Sequence, residues 1–273
     1  MKETDKILEA AEHIRKSYKD NYSSAVVLGS GLGGFSDGLL VEHSISYGDI
    51  PHFPVSTVEG HGGKLLIGRI DGKGVLVMSG RFHFYEGYSP LEVVFPIRVL
   101  HQLGVKNLYV SNAAGGVNPG FKVGDLMVIK DHISFSVINP LLGKNLDELG
   151  PRFPDMSEPY SKAMIKKAFA IASKEGYDIK EGVYFGVTGP TFETRAEYKM
   201  IKVLGADAVG MSTVQEVIAA VHCGMNVFAM SVITDLGIRE EENIITHREV
   251  LDAANIAAPK LSAIIKQMIV QQG

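Results

Sequence analysis

Several runs of this chain are apolar throughout instead of alternating between apolar and polar residues. Such runs are typical of strands covered on both faces, as in α/β proteins whose helices flank a central sheet. Helical patterns precede and separate them. The first covers residues 4–19, where Ile7, Ala11 and Ile14 recur at helical spacing. The predicted strands cover residues 25–28, 65–70, 75–78, 108–110, 126–129, 183–187, 207–209 and 226–233.

Four helix starts are predicted by a Ser or Thr that is followed three residues later by Glu. In this capping box the hydroxyl accepts from a backbone N–H, and the Glu side chain accepts from the backbone of the capping residue. Ser89 has the additional signal of Pro90 at the first helical position. The other three are Thr194, Thr213 and Thr246, and the last is predicted to open a long C-terminal helix.

A length of 273 residues suits one large α/β domain or two small ones. No internal repeat, low-complexity segment or linker divides the chain. We therefore expect a single α/β domain over residues 1–273, with a central mixed, twisted sheet that is partly barrel-like and flanked by helices. The pattern alone leaves open how far that sheet closes.

Charge and cysteine content exclude several classes of protein. The chain has 27 Lys and Arg against 31 Asp and Glu, a net charge of -4, which is the wrong sign for binding the phosphate backbone of nucleic acid. No apolar run reaches the roughly 18 residues that a membrane span needs, and no signal-peptide pattern follows Met1. The single cysteine, Cys223, cannot form an internal disulfide. We expect a cytoplasmic protein without nucleic-acid or membrane partners.

Polar residues follow many of the predicted strands. In open α/β sheets the ligand crevice lies at the carboxyl ends of the strands, so these residues could face one site. Glycine is also frequent, with 30 residues clustered in short loops, which suggests that the backbone approaches a ligand closely. The polar residues at the strand ends are Ser30, Arg81, His83, Asn112, Glu193, Ser212, Thr234 and Asp235.

The loop from Gly29 to Gly34 has three interpretations. Its backbone N–H groups could bind an anion, with Ser30 as a further donor. It also matches the dinucleotide fingerprint G-x-G-x-x-G, which requires an acidic residue about 20 positions later at the end of a second strand. Glu42 and Asp49 lie nearby, but residues 43–48 between them do not have the pattern of such a strand end. A plain strand-to-helix turn is the third interpretation.

Arg81 and His83 alternate, so in an extended segment both side chains point the same way. A guanidinium fork suits phosphate oxygens and an imidazole adds a second donor. With Ser30 and Ser212 they predict a phosphate site, although a surface Arg and a core His would give the same pattern. His61 lies in a glycine-rich loop and could close over the same anion or simply be exposed.

Metal and nucleophile chemistry have little support in the sequence. The nine His include no H-E-x-x-H motif, and the chain has no paired cysteines and no G-x-S-x-G motif. Cys223 lies in an apolar helical run, so we expect a buried, inert thiol. We expect no metal and no organic cofactor.

Five loops together resemble the trimeric purine nucleoside phosphorylases, in a family that also includes the methylthioadenosine phosphorylases. They occur in the family's order, and the resemblance runs from residue 20 to the C-terminal helix. The loops cover residues 29–33, 80–88, 111–116, 189–194 and 205–213.

The resemblance implies phosphorolysis of purine nucleosides, with inorganic phosphate as co-substrate. It also implies a homotrimer in which Phe153 reaches the ribose of the neighbouring site. The candidate catalytic residues are His83, Glu86, Asp235 and His247. The implied phosphate site comprises Ser30, His61, Arg81, His83, the backbone N–H of Ala113, and Ser212. The implied base and ribose site comprises Tyr85, Asn112, Phe153, Phe192, Glu193, Val209, Met211, Thr234, Asp235 and His247.

Asp235 departs from this resemblance, because family members selective for 6-oxopurines have Asn at that position. Asn can donate to N7 and O6, whereas an ionised Asp cannot donate and repels the leaving base. A protonated Asp could donate to N7, and an ionised one could accept from a 6-amino group. We therefore expect cleavage of inosine and guanosine with relaxed selectivity that extends to adenosine.

Three alternative functions remain open on the sequence. His247 suits a polar 5′-hydroxyl better than a methylthio group, so methylthioadenosine phosphorolysis ranks second. An NAD-binding oxidoreductase would depend on the Gly29 to Gly34 loop alone. A non-catalytic nucleoside-binding module would bind purines without turnover.

Overall fold

Nine strands in the described part of the chain join in one mixed sheet. The computed structural model describes residues 1–18, 20, 22–58, 62–238 and 246–272. The strands are β1 (Ser24–Val27), β2 (Leu40–Ser46), β3 (Lys64–Ile70), β4 (Lys73–Ser79), β5 (Asn107–Gly116), β6 (Leu126–Ile133), β7 (Ile179–Gly186), β8 (Ala208–Gly210) and β9 (Asn226–Leu236).

The sheet is open on one side and closed on the other. β2, β3 and β4 are antiparallel neighbours, and β1 joins β4 to β5 with parallel pairing on both sides. Beyond β5 the strands run β8, β7, β6 and β9, and β9 pairs back with β5. This closed ring of five strands confirms the expected mixed sheet that is partly barrel-like.

Helices cover the sheet, and three of the four predicted caps are confirmed. Ser89, Thr194 and Thr246 each accept from the backbone N–H three residues later, as a capping box requires. The first helix ends before the predicted residue 19. The third is capped by Ser161 and is not predicted by the patterns above. The helices are α1 (Glu3–Arg15), α2 (Pro90–Gln102), α3 (Lys162–Glu175), α4 (Arg195–Val203), α5 (Val214–His222) and α6 (His247–Val270).

Strand β5 shows why the apolar runs do not alternate. Leu108 and Val110 pack in one core cluster with residues of α1, α2 and α5, whereas Tyr109 between them packs in a second cluster with α3 and α6. Leu108 and Val110 are fully buried and Tyr109 is 1% exposed. The sheet is therefore covered on both faces, as the sequence predicts. In the part of the chain that the structure describes, no helix combines the length and the apolar character needed to cross a membrane.

Two predictions about strand extent are wrong. β5 and β9 continue beyond their apolar runs, so Asn112, Thr234 and Asp235 lie within strands and not after them. The chain there keeps its ladder pairing, with Asn112 opposite Ser231 and Ala114 opposite Ile233. Side chains at these positions are consequently held by a rigid sheet.

A second error concerns residues 40–46, which form β2 although residues 43–48 lack the pattern of a strand end. β2 pairs on one side with β3 at the edge of the sheet, and most of its side chains are exposed. An edge strand of this kind lacks the buried face that produces an apolar pattern. Since β3 and β4 separate β2 from β1, β2 is not the neighbouring second strand of a dinucleotide-binding unit that starts at β1.

Candidate active site

A cavity of about 360 Å³ lies at the closed part of the sheet. Strands β5, β8 and β9 contribute to its wall, together with the loops after β1 and β4 and the start of α6. Most of the side chains selected from the sequence meet there. The selected residues that line it are Ser30, Arg81, His83, Tyr85, Asn112, Ala113, Phe192, Glu193, Val209, Met211, Ser212, Thr234, Asp235 and His247.

Three selected residues are placed differently. Glu86 does not line the cavity but contacts His83, which does. Phe153 is 86% exposed and lies under the guanidinium of Arg152, away from the cavity of its own chain. His61 lies outside the described residues, as do residues 239–245 between β9 and α6.

Arg81 anchors one end of the cavity. Its side chain is only 1% exposed, and Nε donates to Oε1 of the buried Glu216 at 3.0 Å. Nη1 donates to the backbone carbonyl of Ser111 at 2.7 Å and to Oγ of Ser212 at 3.3 Å. These contacts come from β5 and the start of α5, so the guanidinium has a fixed orientation. A buried ion pair with added hydrogen bonds is the arrangement that compensates for the loss of solvation.

The capping box predicted at the start of α5 does not form, because both of its residues bind elsewhere in the site. Thr213 precedes the helix with a positive φ of 72° and makes no cap hydrogen bond. Its hydroxyl instead accepts from Nδ2 of Asn112 at 2.8 Å and lies 3.2 Å from Oγ of Ser212. Glu216, the expected capping partner, binds Arg81. Tertiary contacts therefore override the local capping pattern.

The loop after β1 approaches this end closely because two of its positions, Gly29 and Gly31, have no side chain. A Cβ on Gly29 would lie 2.8 Å from the backbone of Asn112 and 3.3 Å from the guanidinium of Arg81. Gly31 has a φ of 73° and faces Ala254 of α6. The loop does not open an α-helix, since a short 3₁₀ turn over Gly33–Ser36 follows it. A dinucleotide fingerprint requires an α-helix at that point, so this interpretation loses its structural context.

His83 and Glu86 form a second coupled pair. Nδ1 of His83 lies 2.9 Å from Oε1 of Glu86, and the His83 backbone N–H donates to the same oxygen at 2.8 Å. Burial lowers the pKa of His83, although the hydrogen bond with Glu86 acts in the opposite direction. The imidazole stacks on the ring of Tyr85 with centroids 4.6 Å apart, which fixes its plane.

Glu86 also connects this pair to the loop after β2. Its Oε2 accepts from the backbone N–H of Thr57 at 2.8 Å and from the Thr57 hydroxyl at 2.6 Å. Burial acts to raise the pKa of Glu86, but the hydrogen bonds from His83 and Thr57 outweigh it and lower the pKa to about 2. Glu86 is therefore ionised at neutral pH and holds His83 in place.

Carboxyl groups dominate the other end of the cavity. Asp235 on β9 accepts at Oδ1 from the Thr234 hydroxyl at 3.2 Å and at Oδ2 from the Tyr198 hydroxyl at 3.4 Å. The Asp235 carboxyl fits against β5 because the neighbouring position is Gly115, where a Cβ would lie 3.0 Å from Oδ2. Burial raises the pKa of Glu193, and the charge of Asp235 raises it further.

Sequence reasoning missed several residues of this site. Tyr198 and Glu216 touch residues that the sequence indicates, but Tyr198 carries no motif and Glu216 carries only the capping-box pattern with Thr213. A buried acid near Arg81 could have been anticipated from charge balance, since a buried guanidinium needs a partner. Tyr198 has no such signal. Val58, Pro190 and Val250 also line the cavity and add apolar surface to it.

Other chemistries find little support among the residues that the structure describes. They contain no group of three or more His, Cys, Asp or Glu that could hold a metal ion. Cys223 is buried, and burial raises the pKa of its thiol to about 11, so it is not a thiolate at neutral pH. The cavity thus combines hydrogen-bond donors and a cation at one end with carboxyl acceptors at the other.

The chain is similar to known proteins over nearly its whole length. A family model described as the phosphorylase superfamily matches residues 24–270. Purine nucleoside phosphorylase 1 from Geobacillus stearothermophilus is 47% identical over 263 residues, which are 96% of this chain and 96% of the relative.

Solved structures give the same result. Isoform 2 of purine nucleoside phosphorylase from Schistosoma mansoni, in complex with cytosine and ribose-1-phosphate, superposes with a TM-score of 0.92 at 41% identity, covering 98% of this chain and 97% of that chain. A Schistosoma mansoni purine nucleoside phosphorylase in complex with adenosine superposes with a TM-score of 0.91 at 40% identity, covering 98% of each chain.

Proposed function

The chain belongs to the phosphorylase superfamily, among the purine nucleoside phosphorylases, and we propose that it catalyses reversible phosphorolysis of purine nucleosides. The substrates are ribonucleosides or deoxyribonucleosides, and the products are the free base and ribose or deoxyribose 1-phosphate. The observation that carries this proposal is the cavity with anion-binding groups at one end and base-binding carboxyls at the other.

The reaction exchanges one bond at the sugar. The bond between C1′ and N9 breaks with its electron pair on the base, while a phosphate oxygen forms a bond to C1′ from the opposite face. Positive charge develops on the sugar and negative charge on the base. Groups that are already oriented toward these charges lower the barrier, and one such contact contributes about 2.7–4 kcal/mol.

The anion end is suited to hold the phosphate. Arg81, Ser30 and Ser212 line it together with the backbone of Ala113. The Arg81 guanidinium is already oriented by Glu216 and Ser111, so little reorganisation is needed when phosphate binds. His61 is a further candidate in this role.

His83 adds a group whose protonation couples to phosphate. With Nδ1 directed to the ionised Glu86, the neutral imidazole has its Nε2 free of a proton. It can donate to phosphate once it takes up a proton, which the charge of Glu86 favours, or accept from a protonated phosphate. His83 and Glu86 thus act as one unit.

The base end is suited to a purine. Phe192 and Val209 supply apolar surface, and Glu193 can accept from N1–H of a 6-oxopurine or from the 2-amino group of guanine. Asp235 and Thr234 face the other edge of the base. Since Asp235 in its ionised form can accept from a 6-amino group, the activity extends from inosine and guanosine to adenosine.

Replacing Asp235 by Asn tests this selectivity. Asn adds a donor for O6 and N7, so the ratio of kcat/KM for adenosine to that for inosine should fall about tenfold or more, the effect of one buried hydrogen bond to a charged group. Steady-state kinetics on both substrates measures it. An unchanged ratio would contradict the role given to Asp235.

The sugar lies between the two ends. We assign to the sugar Tyr85, Asn112 and Met211, which line the cavity, and to its 5′-hydroxyl His247, which lines the cavity from the start of α6. We expect a homotrimer in which the exposed Phe153 covers the ribose of a neighbouring site. Sedimentation should then give the mass of three chains, and Phe153→Ala should raise KM for the nucleoside while each subunit keeps its fold.

Product analysis is the central experiment. Inosine, guanosine, adenosine and methylthioadenosine are incubated with and without inorganic phosphate, after dialysis against EDTA. Release of base together with ribose 1-phosphate in the phosphate arm alone is the expected result, in line with a cytoplasmic enzyme of purine salvage that needs no metal or organic cofactor. Release of base without phosphate would assign a hydrolase, and purine binding without turnover would assign a binding module.

A further inference from the structure

Tyr198 lies beside the two carboxyl groups of the base end, Asp235 and Glu193. It lies on α4, is 4% exposed, and directs its hydroxyl at Oδ2 of Asp235 from 3.4 Å. The same hydroxyl hydrogen-bonds Glu193. The ring lies against Gly237, where a Cβ would approach it to 2.0 Å, so that position has to lack a side chain for the phenol to fit.

The protonation state of the Tyr198 phenol determines its role in the hydrogen bond. Tyr198 has one hydroxyl hydrogen and contacts two carboxyl groups. Burial raises the pKa of Tyr198, and the charges of Asp235 and Glu193 raise it further, well beyond its usual range. The phenol therefore stays neutral and acts as a donor. An ionised carboxylate that accepts this hydrogen bond is more stable in a buried site than one that does not.

We propose that Tyr198 is a positioning residue that sets the preference for the purine 6-substituent, because its hydroxyl holds Asp235 in the acceptor form. This proposal rests on the phosphorolysis function given above and adds a residue that determines selectivity within it. An ionised Asp235 accepts from a 6-amino group and repels a 6-oxo group. A protonated Asp235 donates to a 6-oxo group or to N7.

Loss of the phenol hydroxyl should therefore shift selectivity in one direction. In Tyr198→Phe, Oδ2 of Asp235 loses a donor, while Thr234 still donates to Oδ1. The ionised form of the Asp235 carboxyl is then less stabilised than in the wild type, because the hydrogen bond from the phenol is gone. The 6-oxo substrate gains a donor, and the 6-amino substrate loses an acceptor.

The decisive measurement is the ratio of kcat/KM for adenosine to that for inosine. At neutral pH the ratio should fall about tenfold in Tyr198→Phe, the effect of one hydrogen bond to a charged group. In an Asp235→Asn background the same change should no longer lower the ratio, because an amide does not ionise and the contact of the phenol that remains is with Glu193, the acceptor that inosine needs. Tyr109→Phe removes a buried hydroxyl remote from the cavity and should not alter the ratio.

A pH series separates this role from a structural one. The ratio should rise with pH in Tyr198→Phe as Asp235 ionises, and that rise should lie at lower pH in the wild type. Among the residues that the structure describes, the titratable groups at this end include Tyr198 and Glu193, with His247 lining the same cavity and Glu197 acting on Glu193. Because the phenol also hydrogen-bonds Glu193, the series is repeated in the Asp235→Asn background, and the displacement that is lost there is the part that acts through Asp235.

Two results would overturn the proposal. Equal loss of activity on both substrates would make Tyr198 a packing residue, and an equal shift of the ratio in the Asp235→Asn background would show that it does not act through Asp235. If the wild type releases no base in the presence of phosphate, the phosphorolysis function fails instead. The inference is then tested by calorimetry with adenine and hypoxanthine, in which Tyr198→Phe should favour hypoxanthine.

Discussion

Carboxyl side chains lie at both ends of the cavity, but their hydrogen-bond partners differ. At the anion end, Glu216 is paired with a guanidinium at 3.0 Å and Glu86 with an imidazole at 2.9 Å. At the base end, Asp235 accepts from the hydroxyls of Thr234 and Tyr198. The carboxylates at the anion end are thus paired with nitrogen bases, whereas Asp235 accepts from neutral hydroxyl groups.

The pKa directions of two glutamates make this comparison concrete. The pKa of Glu86 is lowered to about 2, because four hydrogen bonds from His83 and Thr57 outweigh burial. The pKa of Glu193 is raised, because burial and the charge of Asp235 outweigh its hydrogen bonds. Glu86 at the anion end therefore keeps its charge to lower pH than an ordinary glutamate, whereas Glu193 at the base end takes up a proton at higher pH.

The strongest way to break the anion end is to remove its cation. Arg81→Met should lower kcat/KM about 10²–10³-fold, because a preoriented contact to the phosphate is lost. It also leaves Glu216 buried without its partner, which costs about 3–5 kcal/mol of unfolding free energy. Steady-state kinetics and urea unfolding measure the two effects separately.

A double variant distinguishes these two effects. Arg81→Met combined with Glu216→Leu removes both charges and should recover most of the stability, because replacing a whole buried ion pair by apolar residues is close to neutral. Activity should stay low. Recovery of activity together with stability would show that Arg81 has a structural role without a phosphate contact.

At the base end, Glu193→Gln should give the next largest effect. The variant should lose about 100-fold in kcat/KM for inosine, since the charge-assisted acceptor for N1–H is gone. Adenosine should lose less, because its N1 is an acceptor that the new amide can meet. Equal losses on both substrates would contradict a contact between Glu193 and N1.

The pH dependence follows from the raised pKa of Glu193. An ionised Glu193 accepts from N1–H more strongly than a neutral one, so wild-type kcat/KM for inosine should fall as the pH drops through a range above that of an ordinary glutamate. In Glu193→Gln that acidic limb should disappear. A limb of unchanged position in the variant would assign the titration to another group.

How much of this comparison could be predicted from sequence depends on the end considered. The alternation of Arg81 and His83 places both side chains at one cavity, because extended backbone presents every second residue to the same side. The partner of Arg81 could not be read in this way, since Glu216 stands in a capping-box pattern with Thr213 and only the folded sheet brings it to the guanidinium.

The base end shows a different limit. The sequence indicates Glu193 and Asp235 as polar residues near strand ends, but only the family resemblance assigns them to the base, because neither carries a local motif. Neither a local pattern nor the family resemblance indicates Tyr198, since nothing in its own helix shows that Gly237 leaves a space for its ring. Likewise β2 lacks an apolar face, so its pairing with β3 has no pattern in the sequence. Contacts that join distant segments are what a one-dimensional pattern omits.

The smallest predicted effect concerns stability. Replacing Glu by Gln should change the free energy of unfolding in opposite directions at Glu86 and at Glu193. The lowered pKa of Glu86 means that the unfolded chain binds its proton more readily, so its contribution is complete above pH 4.5 and is lost as the pH falls toward about 2. Glu86→Gln should therefore destabilise the protein at pH 7 by about 1–2 kcal/mol, with a smaller difference at pH 3. The raised pKa of Glu193 has the reverse sign, since the folded chain binds that proton more readily and loses stability as the pH rises through the raised range. Glu193→Gln should thus be slightly more stable than the wild type at pH 7, and this gain should vanish below pH 4.5. Urea unfolding of both variants at the two pH values measures this, and a change of the same sign in both would refute the opposite pKa shifts of Glu86 and Glu193.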